Sequence, residues 1–166
     1  MTGGTFLVVG SAACVWSDLE KFGDQAASVI AVNRMIVDYP GKLWGAASFH
    51  EDLAAAWKRE SQRPVTLYCP TAANGVEVVV PHGNDRWHGT SALYAVQIAL
   101  EFGKADRVVL AGCPLDDSDH IYQTSNLREY LEEYRAGWVA MLPVIRGIVT
   151  SLSGWTRELL GAPFPI

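Results

Sequence analysis

Short apolar runs and longer segments of helical period alternate along the whole chain. Thr5 to Gly10 is apolar and closed by glycine, the length and flank of a buried strand. Ser17-Asp18-Leu19-Glu20 has the capping-box pattern and predicts a short helix toward Gln25. Ser28 to Val32 is a second strand, ended by Asn33, and Leu43 to Phe49 is a weaker third. A helix is expected over residues 51–62, with Glu51 and Asp52 at its start and Lys58 and Arg59 near its end, the charge order its dipole favours. Val65 to Tyr68 and Val76 to Val80 are the next strands, followed by the polar loop Pro81 to Gly89. Residues 90–103 have helical length and a polar stripe of only Gln97, Glu101 and Lys104, so this helix should be largely buried. Arg107 to Ala111 is a strand and Gly112 to Thr124 a long loop. From Asn126 a helix is expected with Leu127, Tyr130, Leu131, Tyr134, Trp138, Met141 and Leu142 on one face, ended by Pro143. A strand at 148–150, a turn at 151–154, a short helix at 155–160 and a Pro-rich end complete the chain.

This alternation predicts a Rossmann-like three-layer α/β/α sandwich with a mainly parallel sheet. Residues 1–150 are expected to form the domain, with 151–166 a short helix and Pro-rich tail. In such sheets ligands bind beyond the carboxyl ends of the strands, so the residues that follow each strand are the chemical candidates. These are Gly10-Ser11, Asn33, His50, the segment 81–89 and the segment 112–120, and all four histidines (His50, His82, His88, His120) fall among them.

Composition narrows the choice of partner. Hydrophobic residues make up 49% of 166 and charged residues 19%, which excludes a disordered chain. The net charge of -5 is shared between the two halves, so no extensive nucleic-acid surface is expected. No apolar run reaches the about 18 residues of a membrane span; the longest candidate, Ala136 to Ile145, contains Pro143 and stops at Arg146. The N-terminal run lacks the Lys or Arg of a signal segment, and Ser11-Ala12-Ala13-Cys14 lacks the aliphatic residue and charged lead-in of a lipidation site. Three cysteines tens of residues apart fit neither a disulfide framework nor a zinc pair, and a reducing cytoplasm is the expected compartment.

Each candidate carries two readings. Gly10-Ser11-Ala12-Ala13 is a phosphate-meeting turn or a tight βα turn, without the G-x-G-x-x-G or P-loop glycines. Asn33 contacts a ribose or base edge, or it caps a helix. Thr90 and Ser91 hold an anion at a helix start, cap that helix, or do both. The segment 112–120 offers Asp117 and Asp119 as a metal-binding pair and His120 as a general base beside Asp116; otherwise it is a solvated acidic loop. No resident metal is expected and the cofactor is left open; a Mg²⁺ requirement would point to the pair Asp117 and Asp119. A zinc site from the four histidines matches no known spacing. Cys113 is a buried thiol rather than a nucleophile. His82, Trp87 and His88 stack on a base or sugar, or form a surface turn with an aromatic anchor.

Three segments, VVGSAACVWSDLEKF, VIAVNRMIVDYPGKLWGAASFHEDL and GTSALYAVQIALEFGKADRVVLAGCPLDDSDHIY, together resemble the Rossmann-like bacterial sialyltransferases in order and spacing. They are also similar to 6-hydroxymethylpterin pyrophosphokinase-like domains. The pattern, with the closing LSGWTRELLG, resembles small proteins of tailed bacteriophages as well. The resemblance spans about residues 5–125, and the first turn reads GSAACVW where those families carry Pro-Ser. It implies a transferase that uses a nucleotide-activated donor, with a nucleotide or nucleotide sugar as the small-molecule partner. Gly10 and Ser11 would approach the phosphate, Asn33 the ribose or base, Thr90 and Ser91 the phosphate or base, and Gly112 would allow close backbone approach. Asp116 and His120 would be catalytic, one of them as base. The alternatives are a phage protein that sequesters or senses a nucleotide without turnover, and a structural module that has lost the ligand. A homo-oligomer is left open in every reading.

Overall fold

The computed structural model describes residues 3–82, 87, 89–118 and 130–163. Seven strands form one sheet: β1 (Thr5–Val9), β2 (Ser28–Val32), β3 (Gly45–Ala47), β4 (Thr66–Cys69), β5 (Val78–Val79), β6 (Arg107–Ala111) and β7 (Val149–Ser151). Their order is β5-β4-β3-β2-β1-β6-β7, and all six pairings are parallel. The expected Rossmann-like α/β sandwich is therefore the architecture found. The chain runs outward from β1 to β5 and then crosses back to β6. β1, flanked by β2 and β6, is thus the point where the strand order reverses.

Helices cover both faces. α1 (Val15–Phe22), α2 (Met35–Asp38) and α3 (Glu51–Ser61) lie on one side, where Val15, Phe22, Met35, Ile36 and Ala54 pack on Leu7, Val9, Val29, Ala31 and Leu67. α4 (Ser91–Glu101) and α5 (Leu131–Ile145) lie on the other, where Leu93, Tyr94, Ile98, Trp138 and Met141 pack on Val8, Ile30, Val108 and Leu110. Two covered faces are why the central strands read as unbroken apolar runs instead of alternating ones. α6 (Gly154–Leu160) folds back beside β7, and Gly161 accepts a hydrogen bond from the Ser151 N–H at 3.0 Å, covering that edge. The expected break after residue 150 falls inside β7, and Leu152 belongs to the core.

Two helix expectations are corrected. α1 begins at Val15, so Ser17 lies within it and caps nothing; the N-cap position is Cys14, without a side-chain cap. α5 runs through Pro143 to Ile145. Pro143 is exposed near the end of the helix, where losing one backbone bond is cheap, while fully buried Ile145 anchors the last turn. The expected helix start at Asn126 lies outside the described residues. No described helix is long and apolar enough to cross a membrane.

Candidate functional site

The carboxyl edge of the sheet has two halves. In the first, β1 and β6 deliver Gly10 and Gly112 against each other. A Cβ on Gly10 would stand 2.5 Å from the Gly112 oxygen, and one on Gly112 would stand 2.4 Å from the Gly10 oxygen and 2.7 Å from Val15 Cβ. Gly112 also has φ +64, a conformation that side chains rarely adopt. The backbone N–H groups of Gly10 and Ala12 donate across the seam to the Ala111 and Gly112 oxygens, at 2.8 and 3.1 Å. Both glycines thus serve close backbone approach, and what approaches is the other strand. Ser11, in the same turn, is buried.

Beneath this seam lies Asp18, which has no exposed surface. Its Oδ2 accepts the Gly112 N–H at 2.9 Å and the Ser153 hydroxyl at 2.6 Å, and Lys21 Nζ lies 3.4 Å from Oδ1. A carboxylate taken from water needs such donors to offset its desolvation. Cys14 Sγ lies 3.2 Å from Ser153 Oγ. Burial pushes the Cys14 thiol up to about 11, opposed by its Ser153 hydrogen bond and helped by the charge of Asp18. Burial raises Cys113 too, so neither thiol is a nucleophile at neutral pH.

Asp116 turns onto its own loop. Its Oδ1 accepts the Ser118 N–H at 3.0 Å and the Ser118 hydroxyl, an Asx-type turn. Arg135, one turn into α5, donates Nε to the Leu115 oxygen at 3.1 Å and lies over the Trp155 ring at 4.9 Å. This brings a guanidinium to the β6 loop. His120 and Asp119 lie outside the described residues, as does His88. Among the described residues no group of three His, Cys, Asp or Glu side chains is placed to hold a metal.

The second half lies at the ends of β2 and β3. Asn33 has φ 54 and turns the chain from β2 into α2, a left-handed position that asparagine tolerates better than most residues. Its Oδ1 accepts the Ser48 hydroxyl at 2.7 Å, and Ser48 Oγ in turn accepts the His50 N–H at 2.9 Å. Asn33 is half-buried, and among the described residues its Nδ2 has no partner. Ser91 Oγ accepts the Phe49 N–H at 3.1 Å, tying the start of α4 to the end of β3. Thr90 caps α4 through the Leu93 N–H at 3.1 Å and also accepts Trp138 Nε1 at 3.2 Å. Phe49 packs edge-on against His82 at 5.7 Å. His50 is exposed, and Trp87 is buried in the core as an aromatic anchor.

The predicted residues thus fall into two sets, Gly10, Ser11, Gly112 and Asp116 about β1 and β6, and Asn33, Thr90 and Ser91 about β2, β3 and α4. Sequence reasoning missed Ser48, Asp18, Ser153 and Arg135. Asp18 carried a signal: Val15, Asp18, Leu19 and Phe22 have the spacing of one inward helix face. The chain matches no protein family, no curated protein and no solved structure.

Proposed function

We propose that this protein binds a nucleotide or nucleotide-activated small molecule at the carboxyl edge of the sheet, on the β2–β3–α4 side, and uses it as donor in a group transfer of the sialyltransferase-like type. The observation that carries the reading is Asn33. Its carbonyl oxygen is committed to Ser48, which fixes the amide orientation and leaves the Nδ2 donor for a base carbonyl or a ribose oxygen. It stands at the carboxyl end of β2, one strand away from the β1–β6 seam where the strand order reverses, on the same edge where open α/β sheets take ligands. Arg135 at the β6 loop supplies a positive charge at the same end. The leaving phosphate would be stabilised by such fixed donors, with His120 or Asp116 as base.

A binding-only reading is favoured by one specific observation: Asp116 is engaged by Ser118, which leaves it a weaker candidate for base. A thermal-shift panel of nucleotides and nucleotide sugars, with and without Mg²⁺, followed by donor turnover with the hits, tests both. A ligand at a hundred times its Kd adds about 2.7 kcal/mol, hence roughly 5–10 °C for a domain of this size. Cytidine nucleotides should lead if the sialyltransferase resemblance is functional, and purines if the pyrophosphokinase-like one is. A shift without donor loss selects the binding-only reading, and no shift with any nucleotide overturns both.

A further inference from the structure

α5 has two apolar faces. Trp138, Met141 and Ile145 face the core and are 1%, 3% and 0% exposed. Ala136, Val139, Ala140, Pro143 and Val144 recur at i, i+3, i+4, i+7 and i+8 on the opposite face, and all five are exposed. Val139 and Val144 each keep 48% of their surface in water. No charge interrupts this stripe over about 12 Å of helix. Exposed charge stands only at its ends, with Glu132 and Glu133 before it and Arg146 after it; Arg135, also before it, is half-buried and engaged by the Leu115 oxygen and the Trp155 ring. Among the described residues Arg146 joins no ion pair.

We propose that a second copy of this chain docks on this face, the two α5 helices packing antiparallel about a two-fold axis between Val139 and Ala140. The end charges single out this occupant and this direction. Glu133 and Arg146 stand equally far from that axis point, and so do Ala136 and Pro143, so antiparallel packing brings the acidic end of each helix to the basic end of the other. Parallel packing would set like charges together, which is unfavourable. Ala136 and Ala140 allow the helix axes to approach to about 8 Å. A two-fold contact of this kind is self-complementary and closes at two copies. One helix from each copy buries less than the about 800 Å² per partner of a standard interface, so the association is weak and concentration-dependent.

Sedimentation velocity of the full chain from about 1 µM to about 1 mM tests it, the range in which associations of about 4–8 kcal/mol are read. The expected result is a monomer–dimer equilibrium within that range. Val139→Asp, at a site that already faces water, should leave the unfolding midpoint nearly unchanged and raise the dimer dissociation constant at least about tenfold. Arg146→Glu should weaken the dimer as well, and adding Glu132→Lys and Glu133→Lys to it should restore association. A chain that stays monomeric throughout, or a dimer indifferent to Val139→Asp, overturns the proposal. Failure of the charge reversal to restore a dimer that Arg146→Glu has weakened overturns the antiparallel arrangement. None of these outcomes depends on nucleotide binding.

Discussion

The two halves of the carboxyl edge use their backbone differently. Where β1 meets β6, Gly10 and Gly112 touch, the N–H groups of Gly10, Ala12 and Gly112 are all taken by protein acceptors, and a buried carboxylate locks the seam from below. Where β2 and β3 meet α4, the polar groups are tied in pairs, Asn33 with Ser48 and Ser91 with Phe49, and one amide donor of a half-buried side chain is left over. The strand-reversal rule therefore locates an edge and not a pocket. A glycine at a strand end serves a ligand only when no other backbone fills the space that its missing Cβ leaves.

The largest effect should come from closing that space. Gly112→Ala places a methyl 2.4 Å from the Gly10 oxygen and forces a side chain into φ +64. The left-handed conformation alone costs about 1–2 kcal/mol, and a backbone clash that cannot relax brings the total above about 4 kcal/mol. At about 2–4 °C per kcal/mol, the midpoint in a thermal melt should fall by roughly 8 °C or more. A midpoint within about 2 °C of wild type would mean that the seam opens easily and that a ligand can enter it, which would erase the contrast between the halves. Next in size is Asp18→Ala. It leaves the Gly112 N–H and the Ser153 hydroxyl without their acceptor, a loss of about 2–4 kcal/mol in urea unfolding. Asp18→Asn keeps an acceptor in place and should recover part of this. Equal losses in the two variants would show that the charge, rather than the acceptor, holds the seam.

Legibility follows the range of the interactions. The strands Ser28–Val32 and Arg107–Ala111 coincide with their apolar runs because burial on both faces and a turn residue at the end are local properties of the chain. The helix over residues 51–62 was equally plain from its charge order. Asp18 was not, because its acceptor role depends on an N–H 94 positions away and a hydroxyl 135 positions away, while the local pattern around it imitates a helix cap. Ser48 was missed through a small boundary error. The apolar run continues to Phe49, but the strand stops at Ala47, so the first residue past it is Ser48 and not His50. Gly112 was expected to let a ligand approach the backbone; the space its missing Cβ leaves is taken by Gly10 instead, which depends on which strands pair. Arg135 sits in a helix whose inward face was read correctly at Trp138 and Met141, but the carbonyl it reaches is set by the loop after β6.

The smallest effect separates the two jobs of Asn33 and so sharpens the contrast on the open side. Both Asn33→Gly and Asn33→Ala lose the hydrogen bond from Ser48, worth about 1 kcal/mol. Only the alanine must also hold φ 54 with a Cβ, which costs about 1 kcal/mol more. The glycine variant should therefore melt about 2–4 °C above the alanine variant. Their response to a nucleotide that stabilises the wild type should not differ in this way. If Nδ2 meets the ligand, both variants lose the ligand-induced shift to the same extent, since neither has an amide to donate. If Asn33 serves only the turn, the glycine variant, whose backbone is at ease there, keeps the full shift. A glycine variant that is stable and still responds would remove Asn33 from the site, and with it the main support for placing a nucleotide on the β2–β3 side.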